Sequence, residues 1–484
     1  MWVQRAYDVS EPDEGVVNMT PAGQAKTIGD LRAISYKVVP VREELRSNLI
    51  AKIKAEELVF PGIIGFHQTV IPQLENAILA GQDVILLGER GQAKSRLIRS
   101  LTNLLDESVP KIAGCEINDN PFAPICRTCL DLVAENGDDT EIEWISREDR
   151  YSEKLATPDI SIADLIGEID PIKVAEGRHL SDELVIHYGL VPRTNRGIFC
   201  INELPDLAER IQVGLFNLME ERDVQIKGYR IKLPLDVFVV STANPEDYTN
   251  RGRIVTPLKD RYGSQIHTHY PKTTQEEITI MDQERARFPD EDQVVIPEYM
   301  KEILAEITAQ ARQSSEINQR SGVSVRVSIS NYETLLGNAV RRSITHGDEL
   351  ICPRTSDLPY IVASFSGKIE LETFEEGREN RVTDDLTRRA VLRVFGDYFE
   401  VEELGDVVTA FDLGEAVEIG SEKKASEYSQ VMEKVDGMAT AVKKLTGDQR
   451  PEVLASAVEF ILEGLHLNRR LNCERTEAGS IYRR

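Results

Sequence analysis

The 484-residue sequence predicts an α/β fold built on a parallel sheet, and three short apolar runs carry that prediction. The runs cover residues 83–88, 197–202 and 237–242. Uninterrupted apolar runs of this length indicate strands that are buried on both faces, as in parallel sheets. Helical patterns separate them, so helices are expected to flank the sheet. In such folds ligands bind at the carboxyl ends of the strands.

The same patterns divide the chain into successive regions. Residues 1–55 are predicted to form a polar N-terminal extension, and residues 56–275 contain the strands of the α/β domain. Residues 276–346 are predicted to be helical. Residues 347–484 are predicted to form a further, mostly helical region that ends in helices, the last of which begins at Pro451.

Composition and charge weigh against several classes of function. Lys and Arg number 57 against 82 Asp and Glu, and the net charge of −25 argues against a general affinity for nucleic acid. No segment approaches the roughly 18 apolar residues that would span a bilayer, and the N-terminus lacks the pattern of a signal peptide. Six cysteines in so long a chain do not make a disulfide framework. We therefore expect a reduced, cytoplasmic protein with no membrane partner and no specific nucleic-acid partner.

A glycine-containing loop follows the first predicted strand. Residues 88–95 read Gly-Glu-Arg-Gly-Gln-Ala-Lys-Ser, and a predicted helix begins at Lys94. Main-chain N–H groups of such a loop, together with the N-terminal end of the helix, bind phosphate. Lys94 would reach the β- and γ-phosphates of a nucleotide, and Ser95 would hold Mg²⁺. Ala93 replaces the usual glycine, but the strand–loop–helix context favours a nucleotide site over an ordinary glycine turn.

Polar residues end the second and third predicted strands. The second strand runs into Asn202 and Glu203, where a phosphate-loop ATPase needs acids for Mg²⁺ and for the attacking water. Glu203 would polarise that water, whereas the uncharged Asn202 could contact Mg²⁺ only through a bound water. The third strand runs into Asn244, which could orient the attacking water. ATP hydrolysis is therefore expected, and Asn202 leaves its rate open.

In these motifs the sequence resembles the AAA+ ATPases. Within them it is most similar to the branch that contains the magnesium-chelatase ATPase subunit and the MoxR proteins. The resemblance covers roughly residues 56–346. Residues 88–95 resemble the Walker A motif and residues 199–204 resemble Walker B apart from Asn202, while Asn244 matches sensor one. It implies a P-loop AAA+ sheet with flanking helices and a helical lid at residues 276–346.

The resemblance also implies roles for residues outside these strands. Arg261, in the segment Pro-Leu-Lys-Asp-Arg-Tyr, would be an arginine finger that reaches a neighbouring subunit, although an ion pair with Asp260 is the simpler interpretation. Arg326 would be the second sensor, although arginines are common on helix faces. The implied nucleotide-binding residues are Ile63, Ile64, Gly88, Glu89, Arg90, Gly91, Gln92, Ala93, Lys94, Ser95 and Arg96.

Assembly and partners follow from the same resemblance. An arginine finger acts on a neighbour's nucleotide, which implies a homo-oligomeric ring, commonly a hexamer. Residues from about 160 to 196 resemble an insertion into the second helix, and residues 220–231 resemble a hairpin; in relatives both project toward the pore or a partner. Relatives often act with a second protein that carries a von Willebrand A domain.

A cysteine-containing segment at residues 112–135 interrupts the predicted domain. Cys126 and Cys129 form a Cys-x-x-Cys pair, and Cys115 adds a third thiol. This pattern resembles a zinc knuckle that lacks an obvious fourth ligand, with His187 considered only if the insertion folds back. Reduced thiols without metal are the alternative, and the segment is expected at the surface.

These observations leave more than one function open. The first hypothesis is a ring-forming ATPase that uses ATP and Mg²⁺ to remodel a partner protein or to load metal into it. The second is the ATPase subunit of a true magnesium chelatase. The third is a scaffold or switch that binds ATP but turns it over little, because Asn202 replaces the usual aspartate. A sigma-factor remodelling activator is disfavoured, since the loop sequence GAFTGA is absent.

Overall fold

The structure, a computed structural model, describes residues 25–170, 172, 175, 183–220, 233–244, 253–319, 321–372, 377–476 and 479–484. Residues 1–24 of the predicted extension, the middle of the predicted insertion and nearly all of the predicted hairpin at 220–231 lie outside the described residues. The strands are β1 (Val84–Leu87), β2 (Ser108–Ile112), β3 (Ile142–Ser146), β4 (Tyr151–Leu155), β5 (Gly167–Ile169), β6 (Ile186–Tyr188), β7 (Gly197–Asn202), β8 (Val237–Ala243), β9 (Ser264–His267), β10 (Val417–Ile419), β11 (Asn472–Thr476) and β12 (Gly479–Arg483).

Helices make up most of the remaining described structure. They are α1 (Ile28–Ala33), α2 (Val41–Lys54), α3 (Val70–Leu79), α4 (Lys94–Arg99), α5 (Arg127–Asn136), α6 (Ile162–Leu165), α7 (Leu190–Arg193), α8 (Glu209–Glu220), α9 (Thr256–Arg261), α10 (Thr274–Glu284), α11 (Glu298–Ala311), α12 (Arg326–His346), α13 (Val362–Ser366), α14 (Arg378–Tyr398), α15 (Gly405–Asp412), α16 (Tyr428–Lys434), α17 (Met438–Leu445) and α18 (Pro451–Leu467). None of the helices in the described ranges is both long enough and apolar enough to cross a membrane.

A five-stranded parallel sheet organises the α/β domain, with the order β4-β7-β8-β1-β9. Every residue of β1, β7 and β8 is buried, which explains why these strands appear in the sequence as uninterrupted apolar runs. Because the strands are parallel, the carboxyl ends of β7, β8 and β1 lie side by side at one edge. The predicted α/β fold class is confirmed.

Helices cover both faces of this sheet. Alternate strand residues point to opposite faces, so Ile198 packs with the apolar residues of α2 and α3, whereas Phe199 packs with those of α8. Helix α2 lies within the segment interpreted as an N-terminal extension, yet Val41, Leu45 and Leu49 are fully buried in the core of the sheet. The described part of that segment therefore contributes to the α/β core.

The helices of the lid region and the C-terminal region share one apolar core. Tyr299 of α11 stacks on Phe460 of α18 with ring centroids 4.5 Å apart. The prediction that the chain ends in helices is wrong, because β11 and β12 follow α18 and pair with β10 in a three-stranded antiparallel sheet. Tyr482 of β12 is buried in the shared core, so this final hairpin completes the packing of the helical region.

A buried ion pair joins α2 to the strand that borders β7. Arg150, just before β4, is 1% exposed and donates from Nη1 and Nη2 to the carboxylate of Glu44 at 2.7 and 2.5 Å. Its Nε donates to the main-chain oxygen of Arg196 at 2.8 Å. Glu44 also accepts from the N–H of Asp106 at 2.7 Å. Each buried charge is thus matched by several hydrogen bonds, which a paired charge needs in order to be tolerated in a core.

We expect Glu44→Ala to lower the free energy of unfolding by about 3–5 kcal/mol, because it leaves a buried guanidinium without its carboxylate. Asp385→Ala is the matched control. Asp385 pairs with Arg389 where both side chains are about half exposed, so its removal should cost less than about 1 kcal/mol. Urea unfolding followed by circular dichroism compares the two variants, and equal losses would contradict the expectation.

Candidate functional site

The predicted phosphate-binding loop connects β1 to α4, as the sequence pattern required. Gly91 has a left-handed φ of +74° and packs against the segment before α12, where a Cβ added to it would lie 1.8 Å from Ser324 Oγ. Gly88 is equally confined, since an added Cβ would lie 2.0 Å from Thr268 Oγ1. Both glycines are therefore required by close packing. Glu89, next to Gly88, faces Gly322 on the same segment before α12.

Ala93 takes up a conformation that the sequence does not reveal. It precedes α4 with φ 53° and ψ 17°, in the left-handed region that glycine adopts without strain. The side chain is exposed, so its methyl group is accommodated without a clash against the domain. The alanine thus adopts a conformation that glycine would adopt at a lower energetic cost.

A chain of hydrogen bonds links the ends of three neighbouring strands. Lys94, which is 7% exposed, donates from Nζ to the main-chain oxygens of Gly88 and Glu89 and to Asn244 Oδ1 at 2.6 Å. Asn244 in turn donates from Nδ2 to Glu203 Oε2. Residues far apart in sequence, predicted from separate motifs, are therefore brought into direct contact. That Lys94 reaches a nucleotide phosphate stays a prediction.

Asn202 forms hydrogen bonds of its own, next to the chain that links Lys94, Asn244 and Glu203. Its Nδ2 donates to the carboxylate of Glu153 on the adjacent strand β4, and its Oδ1 accepts from the Thr242 hydroxyl at 3.3 Å. The same Thr242 Oγ1 accepts the N–H of Glu203 at 3.0 Å, where Glu203 has a left-handed φ of 56°. These bonds fix the amide of Asn202 and hold Glu203 at the end of β7.

Glu153 is a site residue that sequence reasoning missed. Arg99 of α4 donates to its two carboxylate oxygens at 2.7 and 3.0 Å, and Tyr151 donates to it at 3.0 Å. Burial acts to raise the pKa of Glu153, but the hydrogen bonds from Arg99, Tyr151 and Asn202 outweigh it and hold the pKa below its usual value. Glu153 is thus a carboxylate in direct contact with the asparagine. No sequence motif could identify it, because its position depends on the pairing of β4 with β7.

A cavity of about 600 Å³ opens at this edge of the sheet, between the loop and the lid helices. Its cations are Arg90, Lys94, Arg96, Arg99 and Arg326, and its carboxylates are Glu203 and Glu284. It is also lined by Ile63, Ile64, Gly91, Gln92, Ala93 and Ser95. The volume lies within the usual range for ligand pockets. Cations outnumber carboxylates here although the whole chain carries a net charge of −25.

The lid helices contact α4 and help to line the cavity. Arg96 of α4 forms an ion pair with Glu284 at the end of α10. Arg326 is exposed at the first turn of α12 and lines the cavity. Gln92 accepts a hydrogen bond from the Thr268 hydroxyl at 2.6 Å, which ties the loop to the end of β9. The cavity is therefore formed jointly by the α/β domain and the lid.

Arg261 lies apart from this group. It ends α9, donates from Nη1 to the main-chain oxygen of Pro257 at 2.8 Å, and does not line the described part of the cavity. The following residue, Tyr262, is buried and its hydroxyl lies 2.5 Å from Ser241 Oγ on β8. That contact anchors the segment that carries Arg261. The role of an arginine finger stays a prediction.

The cysteines come together in the described structure. Cys115, Cys126 and Cys129 are buried, whereas Phe122 and Leu130 of the same segment are exposed, so the segment lies at the surface with its thiols turned inward. Asp119, which sequence reasoning missed, joins them, and one potential ligand atom from each residue lies within 4.8 Å of the others. Hydrogen bonds from the thiols of Cys126 and Cys129 lower the pKa of Cys115 to about 3. His187, considered above as a fourth ligand, lies outside this group.

The described fold has the architecture of the AAA+ ATPases. The strand order β4-β7-β8-β1-β9 places the loop strand β1 between β8, which ends at Asn244, and β9. The Walker A, Walker B and sensor-one matches therefore meet at the carboxyl edge of one parallel sheet, next to a helical lid. The predicted AAA+ architecture is confirmed.

Comparison with known proteins identifies the branch that the sequence resembles. No family model matches the chain. Magnesium-chelatase subunit ChlI of Nostoc sp. is 27% identical over 267 residues, which cover 51% of this chain and 64% of the relative. A magnesium-chelatase subunit ChlI homolog of Methanocaldococcus jannaschii is 26% identical over 215 residues, which cover 43% of this chain and 53% of the relative. The predicted resemblance to magnesium-chelatase ATPase subunits is thus confirmed.

The sequence matches cover only part of each relative. The chain spans less than two thirds of the length of these curated relatives. In a cryo-EM-based model of the complex between subunits BchI and BchD of magnesium chelatase, one chain aligns with 67% of this chain at 19% identity and a TM-score of 0.36. The fold is therefore assigned from the strand order of the five-stranded sheet.

We expect Ala93→Gly to raise the free energy of unfolding by roughly 0.5–1 kcal/mol. A left-handed alanine costs about 1–2 kcal/mol, and the greater flexibility of glycine in the unfolded chain offsets part of the gain. Ala51→Gly in α2 is the matched control, since that exposed helical alanine should lose about 1 kcal/mol. Urea midpoints that shift in opposite directions for the two variants would support the assignment, and a loss in both would contradict it.

Proposed function

We propose that this protein is a ring-forming ATPase that binds ATP with Mg²⁺ and hydrolyses it to remodel a partner protein or to load metal into it. The observation that carries the proposal is the cavity at the sheet edge. It gathers cations from the loop, α4 and the lid in a strongly acidic chain, and Glu203 stands on its wall. A polyanion is the class of ligand that such a lining favours.

The residues present fit a nucleotide and its metal ion. The main-chain N–H groups before α4 and the ammonium of Lys94 would hold the phosphates, and the hydroxyl of Ser95 would hold Mg²⁺. Ile63 and Ile64 offer an apolar wall for a base. Magnesium, when bound, would neutralise charge on the phosphates. Glu203, held by Asn244, would accept a proton from water at Oε1 or Oε2.

Assembly and partner belong to the same proposal. Arg261 lies away from the cavity of its own chain, which supports a role at a neighbouring subunit in a ring, commonly a hexamer. The curated relatives are named as subunits of a magnesium chelatase, which implies at least one other kind of subunit in that enzyme. We infer a separate protein partner, and by resemblance one with a von Willebrand A domain. Action on a tetrapyrrole would be the narrower form of this proposal.

A second candidate is an ATP-dependent scaffold or switch with little turnover. The contacts of Asn202 favour it, because both ends of the amide are already bonded, to Glu153 and to Thr242. The side chain of Asn202 is uncharged, so this position contributes no negative charge to the binding of Mg²⁺. The two candidates share ATP binding and differ in steady hydrolysis, so a phosphate-release assay on the full chain with Mg²⁺ and ATP separates them.

We expect Glu203→Gln to lower the rate of phosphate release about 100-fold or more while ATP binding is retained, because the substitution removes the proton acceptor and keeps the shape. Glu209→Gln, on the exposed first turn of α8, is the matched control and should leave turnover unchanged. Fluorescent-nucleotide binding and phosphate release measure the two properties. Failure of the native chain to bind ATP would overturn both candidates.

The ring predicts that two inactive variants restore each other. In a mixture, a Glu203→Gln subunit supplies Arg261 to an Arg261→Ala neighbour that keeps its own Glu203. Phosphate release should then exceed that of either variant alone, since a finger supplied in trans acts across the interface. The control is a mixture of Arg261→Ala with a chain that carries both Glu203→Gln and Arg261→Ala. This mixture should stay inactive, because neither subunit has an arginine finger. Sedimentation with and without ATP reports assembly, and a mixture no faster than its components would contradict a finger in trans.

Asn202→Asp tests the role of the asparagine. In the absence of Mg²⁺ the new carboxylate would lie against Glu153, so we expect a lower thermal midpoint that Glu153→Gln in the same chain restores. With Mg²⁺ and ATP, a motor should keep or increase its turnover in the double variant. Turnover that stays absent in the native chain and in this double variant would favour the scaffold.

A further inference from the structure

A group of four potential metal ligands lies apart from the cavity at the sheet edge, and none of its residues lines that cavity. Cys115 and Asp119 come from the loop after β2, and Cys126 and Cys129 come from the start of α5. One ligand atom from each residue, three thiol sulfurs and a carboxylate oxygen, lies within 4.8 Å of the others. All four side chains are buried.

The carboxylate of Asp119 is only half satisfied. Asp119 is 0% exposed, and its Oδ2 accepts the N–H of Cys126 at 3.0 Å. Its Oδ1 is buried and has no hydrogen-bond partner. A buried carboxylate oxygen without a donor is costly, and a bound ion is a regular explanation of such an atom. The unmatched oxygen belongs to the same residue that completes the group of thiols.

We propose that Cys115, Asp119, Cys126 and Cys129 bind one structural zinc ion. Zinc accepts thiolate and carboxylate ligands in tetrahedral sites of four, and thiolates disfavour Mg²⁺ and Ca²⁺. With Zn–S bonds of about 2.3 Å, a tetrahedron places its sulfurs roughly 3.8 Å apart, which the observed grouping allows. The site is closed, since the protein supplies four ligands from buried positions, so its role is structural and not catalytic.

The surrounding hydrogen bonds orient the sulfurs. The N–H of Asp119 donates to Cys115 Sγ at 3.4 Å, and the N–H of Cys129 donates to Cys126 Sγ at 3.4 Å. Lys111 Nζ donates to the main-chain oxygen of Cys115 at 3.0 Å and forms an ion pair with Glu143 at 3.1 Å. Outer contacts of this kind hold metal ligands in position.

The site also has a structural consequence for the insertion. A cavity of about 130 Å³ beside it is lined by the cysteines and by Leu184, Ile186 and Tyr188. Ile186 and Tyr188 belong to β6, which pairs with β5 where the described part of the insertion returns to the domain. Zinc would therefore fix the loop after β2 to α5 directly beneath the insertion. This role is independent of nucleotide turnover.

Metal content of the full chain tests the proposal. The chain is purified under reducing conditions without added metal or chelator, and zinc is measured by inductively coupled plasma mass spectrometry. We expect about one zinc per chain in the native protein and in Cys473→Ser, whose cysteine lies outside the group. Cys126→Ser should lose the zinc. Asp119→Asn should lower zinc affinity at least about tenfold in competition with a chromogenic chelator, because the neutral amide is a poor ligand.

A second measurement on the native chain covers the case in which a variant does not fold. Removal of metal by a strong chelator should lower the thermal midpoint, and Zn²⁺ should restore it where Mg²⁺ does not. Replacement by Co²⁺ should give the charge-transfer absorption of cobalt–thiolate bonds. The proposal is overturned by substoichiometric zinc with fully titratable thiols and a midpoint indifferent to zinc, by iron in place of zinc, or by a disulfide among the three cysteines.

Discussion

The hydrogen-bonded chain from Lys94 through Asn244 to Glu203 depends on the parallel order of β1, β8 and β7. Glu203 and Asn244 directly follow β7 and β8, and Lys94 begins the helix after the loop that follows β1. Parallel pairing brings the carboxyl ends of these strands to one edge. A strand order that separated β1, β8 and β7 would break the contacts among this lysine, amide and carboxylate. The buried apolar strands are therefore what gives the polar edge its geometry, and the packing of α2, α3 and α8 on the two faces keeps it fixed.

Two departures from the usual motif residues have different physical consequences. Ala93 adopts the left-handed backbone conformation that favours glycine, at a local energetic cost. Asn202 changes the charge at the end of β7, and its amide is bonded to Glu153 and Thr242. Glu153 is itself held by Arg99, at the end of the helix that begins with Lys94. A negative charge thus stays next to the asparagine, on a neighbouring strand.

The lid and the C-terminal region form a single packed unit beside the α/β domain. Their common core includes α11, α12, α14 and α18, and the final hairpin adds Tyr482 to it. The lid contacts α4 through the Arg96–Glu284 ion pair and contacts the loop through the close approach of Ser324 to Gly91. These contacts join the cavity lining to the whole helical unit and not to a short lid alone, and a tightly packed core transmits strain.

The sequence by itself determined the fold class and the residues of the phosphate loop, because both depend on local patterns. Continuous apolar runs identify buried strands, and the spacing of glycines, lysine and serine identifies the loop between strand and helix. Only the tertiary structure decided that Glu153 contacts Asn202, that Asp119 completes the group of three cysteines, and that α2 and the final hairpin belong to the two cores. Those contacts join residues that are distant in sequence or separated by irregular loops. The periodicity of the sequence cannot predict such contacts, because strand pairing and packing create them.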